Sequence, residues 1–151
     1  MVKKANSTNY FESIGKRKEA VARIRLYAVK SKEGVTVGGV KIKQGEIFVN
    51  KKPITSVFPS KAQKVLYLRP LKLVNAEEKF AISALIKGGG QTGQLGAFIH
   101  GLSRALEKTD KETLRPILKK ANLLTRDARI KERRKVGTGG KARRKKQSPK
   151  R

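Results

Sequence analysis

The chain has no cysteine and a single histidine. Without thiols it can form neither a disulfide nor a cysteine-based zinc site, and one imidazole cannot build a histidine cluster, so neither a metal nor any other cofactor is expected. Apolar runs are missing from the start as well. Beyond Met1 and Val2 the first nine residues are polar or small, so neither a signal peptide nor a membrane span is expected there, and a cytoplasmic location is expected. Acidic residues are scarce: eleven Asp and Glu against thirty-eight Lys and Arg give a formal charge of +27. A surface this cationic repels itself, whereas a polyanion neutralises it and releases counterions, so nucleic acid is the expected partner. A membrane surface is the other polyanion, but the basic residues do not sit on a helix opposite Trp, Phe and Leu, as interfacial binding requires. Aromatics are few, with five Phe, three Tyr and no Trp. No aromatic-rich RNP strand, zinc finger or basic region followed by heptads is present, which points to recognition by backbone and shape.

What is present is organised around Gly88 to Leu106. Phe80, Ile82, Ala84 and Ile86 alternate with Ala81, Ser83 and Leu85, a strand that enters the glycines. Leu95, Phe98, Ile99, Leu102, Ala105 and Leu106 then recur at helical spacing, which leaves His100, Ser103, Arg104 and Glu107 off the stripe. Gly88-x-Gly90-x-x-Gly93 matches the dinucleotide fingerprint in letters. That fingerprint also needs a following strand ending in an acid, and Glu107 and Asp110 fall instead at the end of the same helix; no Gly-Lys-Ser/Thr closes a Walker loop either. A loop of small residues at a helix start still offers free N–H groups to a phosphate, or merely allows a tight turn. Gly90 is expected to be the glycine with positive φ.

From Ser13 the text sets Ala20, Ala22, Ile24, Leu26 and Ala28 against Arg23, Arg25 and Tyr27, a half-buried strand with arginine on its outer face. Gly15 to Lys18 reads as a basic turn, either a solvated loop or a phosphate contact. Glycines 34, 38 and 39 among β-branched residues, and the weak alternation from Lys41 to Asn50, suggest one or two strands with hairpin turns. Ser60 is the expected N-cap of a short helix running to Leu68 and stopped by Pro70, with Tyr67 and Leu68 in the core. Thr109 to Glu112 spells a capping box; Leu114, Ile117, Leu118 and Ala121 form the next stripe. Pro116 either bends that helix or delays its start to Thr113, and Asn122 is a left-handed C-cap.

From Arg129 to Arg151, twelve of twenty-three residues are Lys or Arg and only Glu132 is acidic, so this segment has no core to join and is expected to be disordered in the free protein. Without it the rest still carries about +16 (twenty-six basic and ten acidic residues), so body and tail are expected to lie on one polyanion. The division is a flexible arm at 1–12, a globular domain at 13–128 and a tail at 129–151.

GKRKEAVARIRL (Gly15 to Leu26), FVNKKP (Phe48 to Pro53), IKGGGQTGQLGAFIHGLSRAL (Ile86 to Leu106), LLTRDARIKERRKVG (Leu123 to Gly137) and KARRKKQSPKR (Lys141 to Arg151) fall in the order seen in the family of the ninth protein of the small ribosomal subunit, bacterial-type form, which the chain resembles from Gly15 onward. The resemblance implies a two-layer α+β domain like the second domain of ribosomal protein S5: a four- or five-stranded sheet with helices on one face, plus an extended basic C-terminal tail. It implies a structural, non-catalytic role, seated on small-subunit rRNA in the head beside neighbouring head proteins. In the body the implied rRNA contacts are Lys16, Arg17, Lys18, Arg23, Arg25, Gly89, Gly90, Gln91, Thr92, Gln94, His100 and Arg104. Towards the tail they are Thr125, Arg126, Arg129, Lys131, Arg133, Arg134, Lys135, Lys141, Arg143 and Arg144. The tip, Lys145, Lys146, Gln147, Ser148, Lys150 and Arg151, would reach tRNA in the peptidyl site. His100 alone could equally be a plain surface histidine. The chain departs from the family in a longer Tyr27 to Gln44 segment, expected to be an extended hairpin, and in Pro149, whose fixed φ would change the angle of the tip. A free-standing RNA-binding or RNA-chaperone protein, and a nucleotide-dependent enzyme using the Gly88 loop, are the alternatives.

Overall fold

A computed structural model describes residues 10–28 and 34–138. The elements follow in the order β1 (Tyr10–Arg17), β2 (Ala20–Ala28), β3 (Val35–Val37), β4 (Val40–Ile42), β5 (Ile47–Val49), β6 (Lys52–Pro53), α1 (Ile54–Val57), α2 (Lys61–Leu73), β7 (Phe80–Lys87), α3 (Gln91–Thr109) and α4 (Lys111–Lys120). Five strands form one sheet in the order β1-β2-β7-β5-β6; it is antiparallel except for the parallel β5–β7 pair, whose connection carries α1 and α2. This is the expected α+β architecture, with five strands. β1 begins at Tyr10, inside the stretch read as an arm, and takes up Gly15 to Arg17, so the basic turn shrinks to Lys18 and Glu19.

The inner sheet face is built by alternation: Ala20, Ala22, Ile24 and Leu26 of β2, Ile82, Ala84 and Ile86 of β7, and Val49 of β5 meet Leu95, Phe98, Leu102, Ala105 and Leu106 of α3 in one buried cluster. Crossing β1 demands glycine. A Cβ on Gly15 would lie 2.0 Å from the Ala97 carbonyl oxygen, and one on Gly101 would lie 2.8 Å from Ile24 Cγ1. Ser103, expected outside the stripe, is fully buried; its hydroxyl donates to the Ile99 carbonyl at 2.9 Å, which removes the cost of hiding it.

Tyr27 also departs from expectation. It is only 3 % exposed, because the β3–β4 hairpin folds over the other sheet face and packs Ile42 against Tyr27 and Ala81, with Val35, Val37, Val40 and Phe48 around them. Nor does Pro70 end α2, which runs on to Leu73; the proline packs inward and offers no N–H to the carbonyl of Leu66. In α4 the cap is Asp110 rather than Thr109, which completes α3; the Asp110 carboxylate accepts from the Thr113 N–H at 3.3 Å and hydroxyl at 2.5 Å, which draws its pKa below the usual range. Pro116 sits inside the helix on its exposed side, and Ile117 is exposed too. α2 and α4 close alike. Asn75 and Asn122 take positive φ, and Ala76 and Leu123 donate back to Leu71 and Leu118, a Schellman closure each time.

Candidate nucleic-acid interface

The glycine loop joins β7 to α3 where the β1–β2 turn comes alongside. Gly88 (φ +74°) and Gly89 (φ +60°) carry the left-handed backbone, and a Cβ on Gly88 would meet the Glu19 carbonyl oxygen at 2.5 Å. Gly90 does not need to be glycine for either reason: its φ is −96° and nothing lies within 4 Å of its Cβ position. It is the N-cap of α3 without a side-chain cap, so the N–H groups of the first turn face outward. Gln94 ties the loop by donating to the Gly88 carbonyl at 3.2 Å, and Gln91 donates to the Val57 carbonyl at 3.3 Å.

Facing this helix start is the segment after α4. A cleft of about 730 Å³ is lined by Lys18 and Glu19, by Gly89, Gly90, Gln91, Thr92 and Gly93, and by Arg126, Ala128, Ile130 and Lys131. Seven of the anticipated contact residues therefore converge: Lys18, Gly89, Gly90, Gln91, Thr92, Arg126 and Lys131. Three cations surround outward N–H groups, and Glu19 is the single carboxylate among the lining residues, so the cleft favours an anion.

Arg17 does something else. Its stem crosses α3 at Gly96, where a Cβ would come 2.9 Å from Arg17 Cγ, and its guanidinium ion-pairs with Asp127 while donating to the Asp127 carbonyl at 3.1 Å. The same carboxylate takes Arg129 Nη2 at 2.6 Å and the Arg129 N–H at 3.0 Å. Hydrogen bonds from the Arg129 side chain, then its backbone, then Arg17 hold the Asp127 carboxyl well below the usual carboxylate range, and the Arg129 pKa is raised in return. Arg17 thus clips the root of the tail to β1, and Arg129, two residues beyond Asp127, shares the same negative charge.

His100 is likewise engaged at both nitrogens. Nδ1 accepts from the Lys16 N–H at 3.2 Å and Nε2 lies 3.3 Å from the Leu124 carbonyl, which assigns the proton to Nε2. Burial first, then the Arg104 and Arg126 charges, lower its pKa against the two hydrogen bonds. It is a neutral strut between β1 and the turn after α4, with no ring nitrogen left for a phosphate.

The other anticipated cations lie apart from the cleft. Lys16 and Arg104 border a depression on the β1–α3 flank together with Lys108, and Arg104 and Lys108 donate to the Ile14 and Glu12 carbonyls at 2.6 and 2.7 Å. Lys108, one turn beyond Arg104, was missed although the four-residue spacing signalled it. Arg23 and Arg25 point to the opposite sheet face, in a groove shared with Lys51, a residue with no sequence signal of its own. Arg25 is bound to Glu12 at 2.6 Å and lies over the Tyr10 ring at 4.7 Å; the Glu12 hydrogen bond raises its pKa. Thr125, Arg133, Arg134 and Lys135 are exposed along the root of the tail. Lys141, Arg143, Arg144, Lys145, Lys146, Gln147, Ser148, Lys150 and Arg151 lie outside the described residues.

The dinucleotide reading fails on topology. α3 leads into α4 rather than a strand, Glu107 is bound to Arg115 at 2.6 Å, and Asp110 is spent as a cap, so neither acid that follows the loop is free for a ribose.

A family model described as "Ribosomal protein S9/S16" matches residues 15–151. The chain is 47 % identical over 134 residues to "Small ribosomal subunit protein uS9" of Maridesulfovibrio salexigens, covering 89 % of this chain and 92 % of that one. It is 40 % identical over 148 residues to the protein of the same name in two Rickettsia rickettsii strains, Sheila Smith and Iowa, covering 98 % of this chain and 83 % of each relative.

Proposed function

Because the chain belongs to the ribosomal protein S9/S16 family, whose members are structural and non-enzymatic constituents of the small ribosomal subunit in translation, we propose that its body seats on small-subunit rRNA through the glycine-loop cleft and that its tail continues along RNA to peptidyl-site tRNA. One observation carries this reading: Lys18, Arg126 and Lys131 converge on the outward N–H groups of α3, and the root of the tail leaves from the same cleft. An RNA phosphate there gains charge-assisted hydrogen bonds and the positive end of the helix. His100, Arg17 and Arg25 support the frame and are not contacts in this reading; Lys16 and Arg104 form a second, flanking contact.

Replacing Lys18, Arg126 and Lys131 by Gln should weaken rRNA binding and reduce its salt slope by roughly two to three, close to one for each phosphate that is no longer neutralised. An unchanged slope would show that the cleft does not meet phosphate. In a sucrose gradient the chain should travel with the small subunit, whereas a free-standing RNA chaperone would stay near the top. Deleting residues 148–151 should leave assembly intact and lower the salt slope of peptidyl-site tRNA binding by about one to two. Wild-type tRNA affinity and slope would refute the contact at the tip.

A further inference from the structure

α2 carries two stripes. Tyr67, Leu71 and Val74 enter the core with Pro70 beside them. On the far side Ala62, the adjacent pair Val65 and Leu66, Arg69 and Leu73 recur three or four residues apart, which aligns them along the helix. This outer stripe is bare: Val65 is 68 %, Leu66 45 % and Leu73 40 % exposed. Arg69, in its middle, has no hydrogen bond or ion pair among the described residues, whereas Arg17, Arg25, Arg115 and Arg129 are each paired with a carboxylate. α2 contains no Asp or Glu at all, and Lys61, Lys64 and Lys72 add further positive charge.

We propose that this outer stripe of α2 is a docking face for another protein of the small subunit, one that presents an aliphatic patch with a carboxylate opposite Arg69. The inference rests on the reading of the chain as a small-subunit constituent. Three exposed aliphatic side chains gain free energy by leaving water only against apolar cover, which phosphates and riboses do not supply and a protein surface does. The charge pattern sets the sign of the partner: a lone guanidinium among aliphatics, with lysines on the rim, is complemented by a carboxylate at the centre and acids around it. A second copy of the chain is disfavoured because each carries +27.

The test uses the full chain assembled into small subunits, with a photo-reactive benzophenone amino acid at position 66 and, as a control, at exposed position 112 of α4. Position 66 is expected to yield one major protein adduct, mapping to a peptide that holds Asp or Glu beside aliphatic residues. Arg69→Glu should then reduce the yield of that adduct at least fivefold, and changing the partner's carboxylate to Lys should restore it. The melting midpoint of the free Arg69→Glu chain should stay within about 2 °C of wild type, since Arg69 has no partner among the described residues. Adducts on rRNA, on residues 1–9 of the same chain or on a second copy, or no adduct at all, would overturn the docking face while leaving the ribosomal reading intact. Failure of the wild-type chain to travel with the small subunit would overturn both.

Discussion

Residue-scale chemistry separates glycines that look equivalent in the sequence. Gly15→Ala forces a methyl group onto the Ala97 carbonyl, and a loss of about 1–3 kcal/mol or more is expected in urea melts. Gly90→Ala, with φ −96° and open space around it, should be nearly neutral; equal effects at the two positions would contradict the close crossing of β1 and α3. His100 gives a pH signature. Its folded pKa lies below the ordinary 6.5, so the unfolded chain takes up the proton more readily; the stability contributed by the neutral ring is complete above about pH 6.5 and is lost as pH falls below it. Denaturation midpoints at pH 7.5 and pH 5 should therefore differ in wild type and differ less in His100→Gln. A pH difference unaffected by the substitution would place the titration elsewhere.

Elements explain why some of this was readable in the sequence and some was not. The α3 stripe and the alternation of β2 and β7 are periodic, and periodicity reports one-sided burial directly. Accordingly Leu102, fully buried at the centre of the stripe, should cost about 2–5 kcal/mol when cut to Ala, read from urea melts. Melting like wild type would mean the stripe does not cover the sheet. Tyr27 and Ser103 escaped because a second layer or a self-satisfied hydroxyl hides residues that a single-face pattern assigns to solvent. Pro70 escaped because its ring packs into the core while α2 runs on past it to Leu73, so one helical hydrogen bond is lost and not the helix. At the site, letters identified the basic residues but not their obligations: Arg17, Arg25 and His100 are tied to partners up to 110 positions away, which no local spacing encodes.

For the whole molecule, charge is shared between body and tail. Removing residues 139–151 takes seven of the thirty-eight basic residues and no acidic one, bringing the net charge from +27 to +20. The salt slope of rRNA binding should then become shallower by at most about five, at roughly 0.7 per neutralised single-strand phosphate. A larger fall would mean that the body had come off its seat as well. The clip at the tail root can be tested separately: Asp127→Asn should speed tryptic cleavage after Arg126 and Arg129 with little change in the melt. Cleavage unchanged by Asp127→Asn would show that the clip holds nothing. Pinning Asp127 to β1 also shortens a tether. In the proposed seating the tail would meet RNA as an intramolecular partner, at an effective concentration that falls roughly as the −3/2 power of the tether length. That length would be counted from Asp127 rather than from the end of α4, so in the proposed seating a single carboxylate far from the tip would help set how often the tip finds RNA.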